Sequence, residues 1–424
     1  MAIDKKIQSE ENPVIDKYAS SPIEIDIEGN ALPEGVEMLE DGGAVIGPQT
    51  MAPASHDSNL AEYVKEDDLE NISSDLISDY NSDKETRKDW EQGYTEGLDL
   101  LGFKYEDRSQ PFQGASGVTH PLLAESVTQF QAQAYKELLP PGGPVKCNIV
   151  GAQTPQSEDQ AKRVKDFMNY QITSVMEEYD PDMDQMLFFL ALAGSSFKKV
   201  YYDANLGRAV AKFIPVEDLV VPYHSSDLET APRITHVLKQ NKNEVRKSQI
   251  NGFYRDVELK PTTPKDNRIS DKYDQLEGVS SNEQSLYDDE CTLLEMHCDL
   301  EVPGFEDVGL DGMPTGIKLP YIVTIDEGSG KVLSIYRNYK AEDPLKKKIQ
   351  YFVHYRFLPG LGFYGFGLIH MLGGLSRTAT SALRQLIDAG TLSNLPAGFK
   401  ARGLRIRDDD NPLQPGEFRD VDAP

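Results

Sequence analysis

One stretch near the C-terminal end of the chain restricts the fold more than any other. Between residues 364 and 390, apolar residues recur at alternating spacings of four and three, at Leu368, Leu372, Leu375, Ala379, Ala382 and Leu386. This period of about 3.5 residues is typical of a helix whose apolar seam packs against a neighbouring helix over several turns. A helix of about 25 residues is about 37 Å long. The stretch therefore predicts a helix long enough to cross a protein wall.

A polar face of the same helix contains three charged residues. Arg377 and Arg384 are one heptad apart, so both project from the same side of a helix. Asp388 follows Arg384 by four residues, a spacing at which opposite charges on a helix pair. The apolar seam also fits an ordinary core helix of a globular domain, because such helices are amphipathic too.

The composition predicts a protein that folds in water and repels nucleic acid. Hydrophobic residues make up 39% of the chain, and no apolar run approaches the roughly 18 residues that a membrane-spanning helix needs. The net charge is -27, and residues 1–90 alone carry -15. Because an acidic surface repels phosphate, we expect no tight DNA binding, whereas an acidic wall past which DNA slides is compatible with this charge. Three cysteines at irregular spacing favour a reducing compartment.

The hydrophobic periodicity predicts helices first and strands later. Helices are predicted at about 117–139, 157–178 and 182–193, and an earlier one is predicted to begin at Ser82, an N-cap residue with Glu85 three positions later. Strands are predicted at 197–202, 208–214, 234–239, 291–299, 319–326, 332–336 and 350–357.

These elements divide the chain into five regions of an α+β fold. The regions are a flexible acidic arm at 1–58, a helical part at 59–195, a β-rich part at 196–360 with an exposed insertion at 260–290, the long helix at 361–395, and an extended tail at 396–424.

The sequence contains no recognisable catalytic or ligand-binding motif. A G-x-x-x-x-G-K-[ST] loop for phosphates and a G-x-S-x-G nucleophile motif are both absent. His297 and Cys298 are adjacent and would point to opposite faces of a strand, and Cys291 is too distant for the usual zinc spacing. The acids Asp408–Asp410 precede an Asn-Pro pair and fit a solvated turn better than a cation site. We therefore expect no catalytic, cofactor-binding or metal-ligating residues.

The densest basic region lies in and just after the long helix. Its members are Arg377, Arg384, Lys400, Arg402, Arg405 and Arg407. One interpretation is a strip near DNA or near an acidic partner. The other is a set of salt bridges within or between subunits, since charged runs usually have such ordinary roles.

Four segments, taken in order, carry a resemblance to a known family. They are Val118–Pro140, Met186–Asp203, Phe213–Pro222 and Phe363–Phe399. In this order the segments resemble those of a phage portal protein, the head-to-tail connector of tailed double-stranded DNA phages, and most closely its podovirus-like branch. The resemblance covers roughly residues 60–420 and depends on segment order, not on a short motif.

The resemblance implies a dodecameric ring around an axial channel at one capsid vertex. It implies that residues up to about 360 form the wing, that 364–392 form the first stem helix and that 396–424 enter the clip. The chain would then be the N-terminal and central part of such a subunit, and a second stem helix, a tunnel loop and a crown would follow.

The resemblance also implies the partners. A terminase motor would dock on the ring and drive double-stranded DNA inward, and tail adaptors would dock later, when DNA leaves. Major capsid and scaffolding proteins would surround the ring. The protein would lie in the virion after assembly in the host cytoplasm, and it would not be an enzyme, because hydrolysis belongs to the motor.

Two other classes of function compete with this interpretation. One is a free acidic adaptor or scaffolding protein of the virion. The other is an enzyme with an unrecognised site in the β-rich part, for which a pocket with convergent polar groups would be the sign.

Overall fold

The chain divides into two compact units, residues 1–52 and 53–424. The computed structural model describes residues 55–103, 105–112, 114–203, 206–259, 268–278, 290–309 and 313–394, together with the backbone of four short strands outside these ranges. In the first unit these strands are β1 (Val36–Met38) and β2 (Ala44–Ile46), which pair as an antiparallel hairpin. Nearly all of the predicted flexible arm at 1–58 lies outside the described residues.

The second unit begins with helices, continues with strands that two short helices interrupt, and has one long helix near its end. Its helices are α1 (Glu66–Thr86), α2 (Lys88–Leu98), α3 (Leu122–Leu138), α4 (Pro155–Tyr170), α5 (Tyr179–Ala193), α6 (Lys242–Ile250), α7 (Arg268–Glu277) and α8 (Leu368–Asn394). Its strands are β3 (Ser195–Asp203), β4 (Arg208–Ile214), β5 (Leu219–Val220), β6 (Arg233–Asn241), β7 (Glu290–Leu300), β8 (Leu319–Asp326), β9 (Val332–Arg337), β10 (Phe352–Arg356), β11 (Arg405–Ile406) and β12 (Val421–Asp422). This arrangement confirms the α+β class.

The strands form two larger antiparallel sheets. One has the order β10-β3-β4, and the other has the order β5-β6-β7-β8-β9. All seven strands predicted from the alternating pattern are present, within about two residues at each end. The two-residue β5 and the short helix α6 were not predicted, because neither is long enough to show a period.

The five-stranded sheet is covered on both faces. Leu69, Leu76 and Tyr80 of α1 pack on one face, in a core that includes Leu294 and Val323. The other face carries Val245 of α6 and Tyr254, which pack with Leu293 and Leu333. Since both faces are covered, every residue of β8 and every residue of β7 except Asp299 is buried or half-buried.

Three predictions about the helices need correction. Ser82 is not an N-cap, because α1 continues through it and the break comes at Arg87. The predicted helix at 157–178 is α4 followed by a π-helical turn, Gln171–Val175. The insertion at 260–290 is not exposed throughout: α7 packs on α2, where the hydroxyls of Tyr273 and Tyr94 are 2.9 Å apart, and Ile269 is buried.

The long helix begins at a close backbone contact with the end of α5. A Cβ atom on Gly367 would lie 2.3 Å from the Leu192 carbonyl oxygen, and one on Gly365 would lie 2.4 Å from the Gly194 carbonyl oxygen. Gly194 also ends α5 in the left-handed conformation, with φ at 88°. Only glycine fits at these positions, so the contact fixes where α8 begins.

Candidate functional site

The long helix α8 is the main candidate for a functional surface, because its two faces have opposite characters. Its 27 residues span about 40 Å at the usual rise of an α-helix. On the face toward its own chain the buried residues are Ile369 and four small or polar residues, Gly373, Ser376, Thr380 and Asp388. The large apolar side chains lie mainly on the other side.

Hydrogen bonds fix the inner face of α8 to the residues that precede α3. The Asp388 carboxylate accepts from the Ser116 N–H at 2.7 Å. The Thr380 hydroxyl oxygen accepts from the His120 N–H at 3.0 Å. A small inner face permits this close approach, and the direction in which α8 points is thereby set by its own chain.

The outer face of α8 exposes large apolar side chains. Met371 is 54% exposed, Leu375 59%, Leu386 71% and Leu392 52%. Two further leucines on this side, Leu368 and Leu372, are half-buried. We call the line from Leu368 through Leu372 and Leu375 to Leu386 the α8 seam. A water-exposed stripe of this kind costs free energy unless another apolar surface covers it.

The two arginines of α8 pair within the chain. Arg384 is the more enclosed of the two: it donates to the Val118 carbonyl at 2.7 Å and to the Thr119 hydroxyl at 3.1 Å, and it forms an ion pair with Glu106 at 3.0 Å. Asp388 does not pair with Arg384 as the four-residue spacing predicted, since its carboxylate holds the Ser116 N–H instead.

Arg377 has a looser environment than Arg384. Its guanidinium lies 3.3 Å from the Glu96 carboxylate, and both side chains are more than half exposed. A pair of this kind contributes about 0.2–1 kcal/mol at most. The sequence left two interpretations of these arginines, a strip near DNA or an acidic partner and a set of salt bridges. The contacts present are salt bridges within the chain, and of the two arginines Arg377 is the one whose charge is largely exposed.

A cleft of about 570 Å³ lies beside these arginines. It is bounded by α8, by residues 99–100 and by the segment around residues 106–119. Its charged side chains are of both signs, because Asp99, Glu106 and Asp388 face it together with Arg108, Arg377 and Arg384. The three acids and the three arginines balance in charge, which leaves little net field for a charged ligand.

The remaining basic residues of the predicted strip have no described side chains. Lys400, Arg402 and Arg407 lie outside the described residues. Arg405 belongs to β11, whose backbone pairs with β12 in an antiparallel register.

A buried charged cluster joins the two larger sheets. Lys199 of β3 contacts both carboxylate oxygens of Glu295 of β7, at 2.6 and 2.7 Å. His297 Nε2 lies 2.8 Å from the same carboxylate. Burial by itself would raise the pKa of Glu295, but the Lys199 ammonium and the His297 ring outweigh it and hold that pKa well below its ordinary value. The cluster therefore stays charged inside the fold and fixes one sheet on the other.

Two histidines near this cluster are kept neutral by burial. Burial lowers the pKa of His236, on β6, to about 3, and it lowers the pKa of His297 as well. His236 and His297 both pack edge-on against the ring of Phe352 on β10. These residues connect the sheets and have no open access to solvent, so their arrangement serves packing and not ligand binding.

Ser195 and His354 are close enough for a nucleophile and its base, but their protons are wrongly placed. His354 Nε2 lies 3.1 Å from Ser195 Oγ, and Arg356 Nε donates to His354 Nδ1 at 3.3 Å. Burial lowers the pKa of His354 to about 3, so the ring is neutral and its single proton is on Nε2. A general base must accept the hydroxyl proton, and Ser195 is fully buried.

Arg87 is a structural residue that the sequence pattern did not reveal. Its side chain is buried at the junction of α1 and α2 and donates to the carbonyls of Val216, Glu217 and Leu219. It also pairs with Glu91 at 2.7 Å. Its backbone acceptors are about 130 residues away in sequence, so no local signal marks the residue. It fixes the segment Phe213–Pro222 beside the start of α2.

Comparisons with known proteins assign no family or function to this chain, so a functional argument must start from its geometry. No protein-family model matches this chain, and no curated protein matches it. Among the described residues, no three His, Cys, Asp or Glu side chains lie close enough together to hold a metal ion. No helix in the described ranges is long and apolar enough to cross a membrane.

Proposed function

We propose that this chain is a subunit of a phage portal, a ring at one capsid vertex through which double-stranded DNA is packaged and ejected. The observation that carries the proposal is the exposed seam of α8, where Leu375 and Leu386 are 59% and 71% exposed on a helix that its own chain holds in place. A rigid helix with an uncovered apolar line is suited to a partner of fixed geometry.

The four segments that carry the family resemblance support the proposal by their positions. They supply α3, the end of α5 with β3, the segment after β4, and α8. In the fold, α3 and α5 both pack on α8, and the segment after β4 is held by Arg87. Segments that are far apart in sequence therefore build one support for the long helix.

In this proposal the part of the chain before α8 is the wing and α8 is the first stem helix, with the tail entering the clip. The seam packs between neighbouring subunits. Burial of a large apolar side chain contributes about 1.5–3 kcal/mol, so the seam leucines of each subunit supply a substantial part of the ring's stability.

The charge of the chain fits DNA that must pass without adhering. The net charge is -27, and Arg377 and Arg384 are balanced by Glu96 and Glu106. Contacts of phosphate with such arginines are weak and are screened by salt. The terminase motor, the tail adaptors and the capsid and scaffolding proteins would use the outer surfaces of the ring.

The purified chain provides the test. We expect a large, monodisperse particle by light scattering at micromolar concentration, and negative-stain images should show closed rings with a central hole. A monomer at all concentrations would contradict the proposal and would favour the adaptor or enzyme alternatives. A large particle without a hole would favour a scaffolding protein.

A further inference from the structure

Helix α4 is well specified by its sequence but packs only loosely on the other described residues. Its start is capped, because the Thr154 side chain accepts from the Ser157 N–H and Pro155 occupies the first helical position. Yet none of its sixteen residues is buried. Isolated helices of about this length are marginal in water, so α4 needs a surface to pack on.

One side of α4 has the apolar residues for such packing. Val164 is 45% exposed, Phe167 62%, Met168 44% and Tyr170 58%. We call these four residues the α4 patch. The position of the helix is nevertheless fixed at its end: the Asn169 amide accepts from the Val145 N–H at 2.9 Å and donates to the Val145 carbonyl at 3.2 Å.

The α4 patch and the α8 seam lie at opposite ends of the helical layer. Helices α3 and α5 are antiparallel, because Gln131 contacts Asp184 and Tyr135 contacts Asp180. Their ends near Gly194 meet α8, and α4 is attached at the other end, through Val145. A helix of 15 residues such as α5 is about 22 Å long. The two apolar surfaces therefore do not cover each other within one chain.

Two unlike apolar surfaces on opposite ends of one subunit are what a head-to-tail contact needs. Such a heterologous contact, repeated from copy to copy, gives a ring when its rotation closes and an open filament when it does not. The surfaces also match in size. The α4 patch has bulky side chains, whereas the α8 seam has small residues, Ala379 and Ala382, between Leu375 and Leu386. Large side chains pack well into a gap between leucines.

We propose that the α4 patch of one subunit packs on the α8 seam of the next, and that this contact repeats around the ring. The inference rests on the proposed self-assembly and adds which surface of the second copy covers the seam. It also gives α4 the packing surface that its own chain lacks.

Engineered disulfides test this contact. In a Cys147→Ser background, whose two remaining cysteines are buried, Val164→Cys and Ala382→Cys place one thiol in each surface with little change in shape. After mild oxidation, the double variant should give a ladder of covalent dimers, trimers and larger species on a denaturing gel. Each single variant should stay monomeric on the same gel, and a mixture of the two should give dimers only.

A matched control separates this contact from random collision. Lys162→Cys lies on the opposite side of α4 from Val164 and is exposed, so its pairing with Ala382→Cys should give no ladder. An equal ladder from that control, or covalent dimers from Val164→Cys alone, would overturn the inference.

The outcome also distinguishes the two proposals. If the Cys147→Ser background protein forms rings by light scattering but the double variant gives no ladder, the α4–α8 contact is wrong and the self-assembly stands. If the background protein is a monomer, the proposed function fails, and this inference fails with it.

Discussion

Helices α5 and α8 both carry large apolar side chains but use them in opposite ways. The large side chains of α5, including Met186, Leu187 and Leu190, are buried in the chain's own core. On α8 the buried positions are mostly small or polar, and Leu375 and Leu386 face outward. The comparison shows that α5 completes the fold of the chain, whereas α8 is held on one side and exposes the other to solvent.

The small inner face of α8 has a physical reason. Ile369 lies so close to α2 that a Cβ on Gly97 would be 2.3 Å from an Ile369 methyl carbon. Close approach of helices requires small residues on one or both sides, and the hydrogen bonds of Thr380 and Asp388 then replace apolar packing. Leu375 and Leu386 therefore take no part in this packing and stay exposed, where another surface could cover them.

A glycine just before α8 and one on its exposed side give the strongest test of this difference. Gly367→Ala would place a methyl group 2.3 Å from the Leu192 carbonyl oxygen, which is backbone and cannot swing aside. We expect a loss of roughly 3 kcal/mol or more in the free energy of unfolding, since the start of α8 or the end of α5 must move. Urea unfolding followed by circular dichroism measures this loss.

Gly374→Ala is the matched control on the exposed side of the same helix. A Cβ there meets no atom within 4 Å, and alanine favours a helix over glycine by about 0.5–1 kcal/mol. This variant should be as stable as the parent or slightly more stable. Equal losses from both variants would mean that the two faces of α8 do not differ as described.

Arg384 and Arg377 test the same difference between an enclosed and an exposed position on α8, with a smaller expected loss of stability. Arg384→Met removes the bonds to the Val118 carbonyl and the Thr119 hydroxyl and leaves Glu106 without its cation, so we expect a loss of roughly 2–3 kcal/mol in unfolding free energy. Arg377→Met removes only an exposed pair and should cost less than about 1 kcal/mol. Similar losses from the two substitutions would show that the enclosure of Arg384 has no energetic consequence.

Acid should weaken the sheets without acting on the seam. His236 has a folded-state pKa of about 3 and an ordinary value of 6.5. Between these values the unfolded chain binds a proton that the folded chain does not, so stability falls as pH falls. From pH 7 to pH 5 this histidine should cost up to about 2 kcal/mol.

Urea midpoints at the two pH values measure this effect, and His236→Gln should make the dependence on pH shallower. The seam contains only leucines and alanines, which do not titrate, so assembly of the folded protein should be equal at pH 7 and pH 6. If the unfolding free energy of the parent protein and of the His236→Gln variant changed equally with pH, His236 would not be the cause of the pH dependence.

The sequence predicted the elements well and their surroundings less well. The 3.5-residue period predicted α8 because periodicity reports which residues share a face. It could not tell whether the seam meets its own chain or another one, since that depends on α2 and α3. The pairing of Arg384 with Asp388 was wrong for the same reason: a distant backbone N–H, that of Ser116, competes for the carboxylate.

Other features were hidden by distance in sequence. The polar sequence of α7 suggested an exposed insertion, yet Tyr273 and Ile269 give it one packing side. Arg87 carries no local signature, because its acceptors are the carbonyls of a remote segment. Basic residues such as Lys400 and Arg402 lie outside the described residues, so their role stays a prediction.

The central claim is that the outward seam of α8 joins subunits while the rest of the chain folds alone. The decisive measurement is the molar mass by multi-angle light scattering of Leu375→Asp/Leu386→Asp beside Ser381→Asp/Gln385→Asp, which adds the same charge at exposed polar positions of α8. We predict a folded monomer for the first variant, with an unchanged circular dichroism spectrum, and a ring of the parent's mass for the second. Rings of normal mass from the leucine variant would contradict the account.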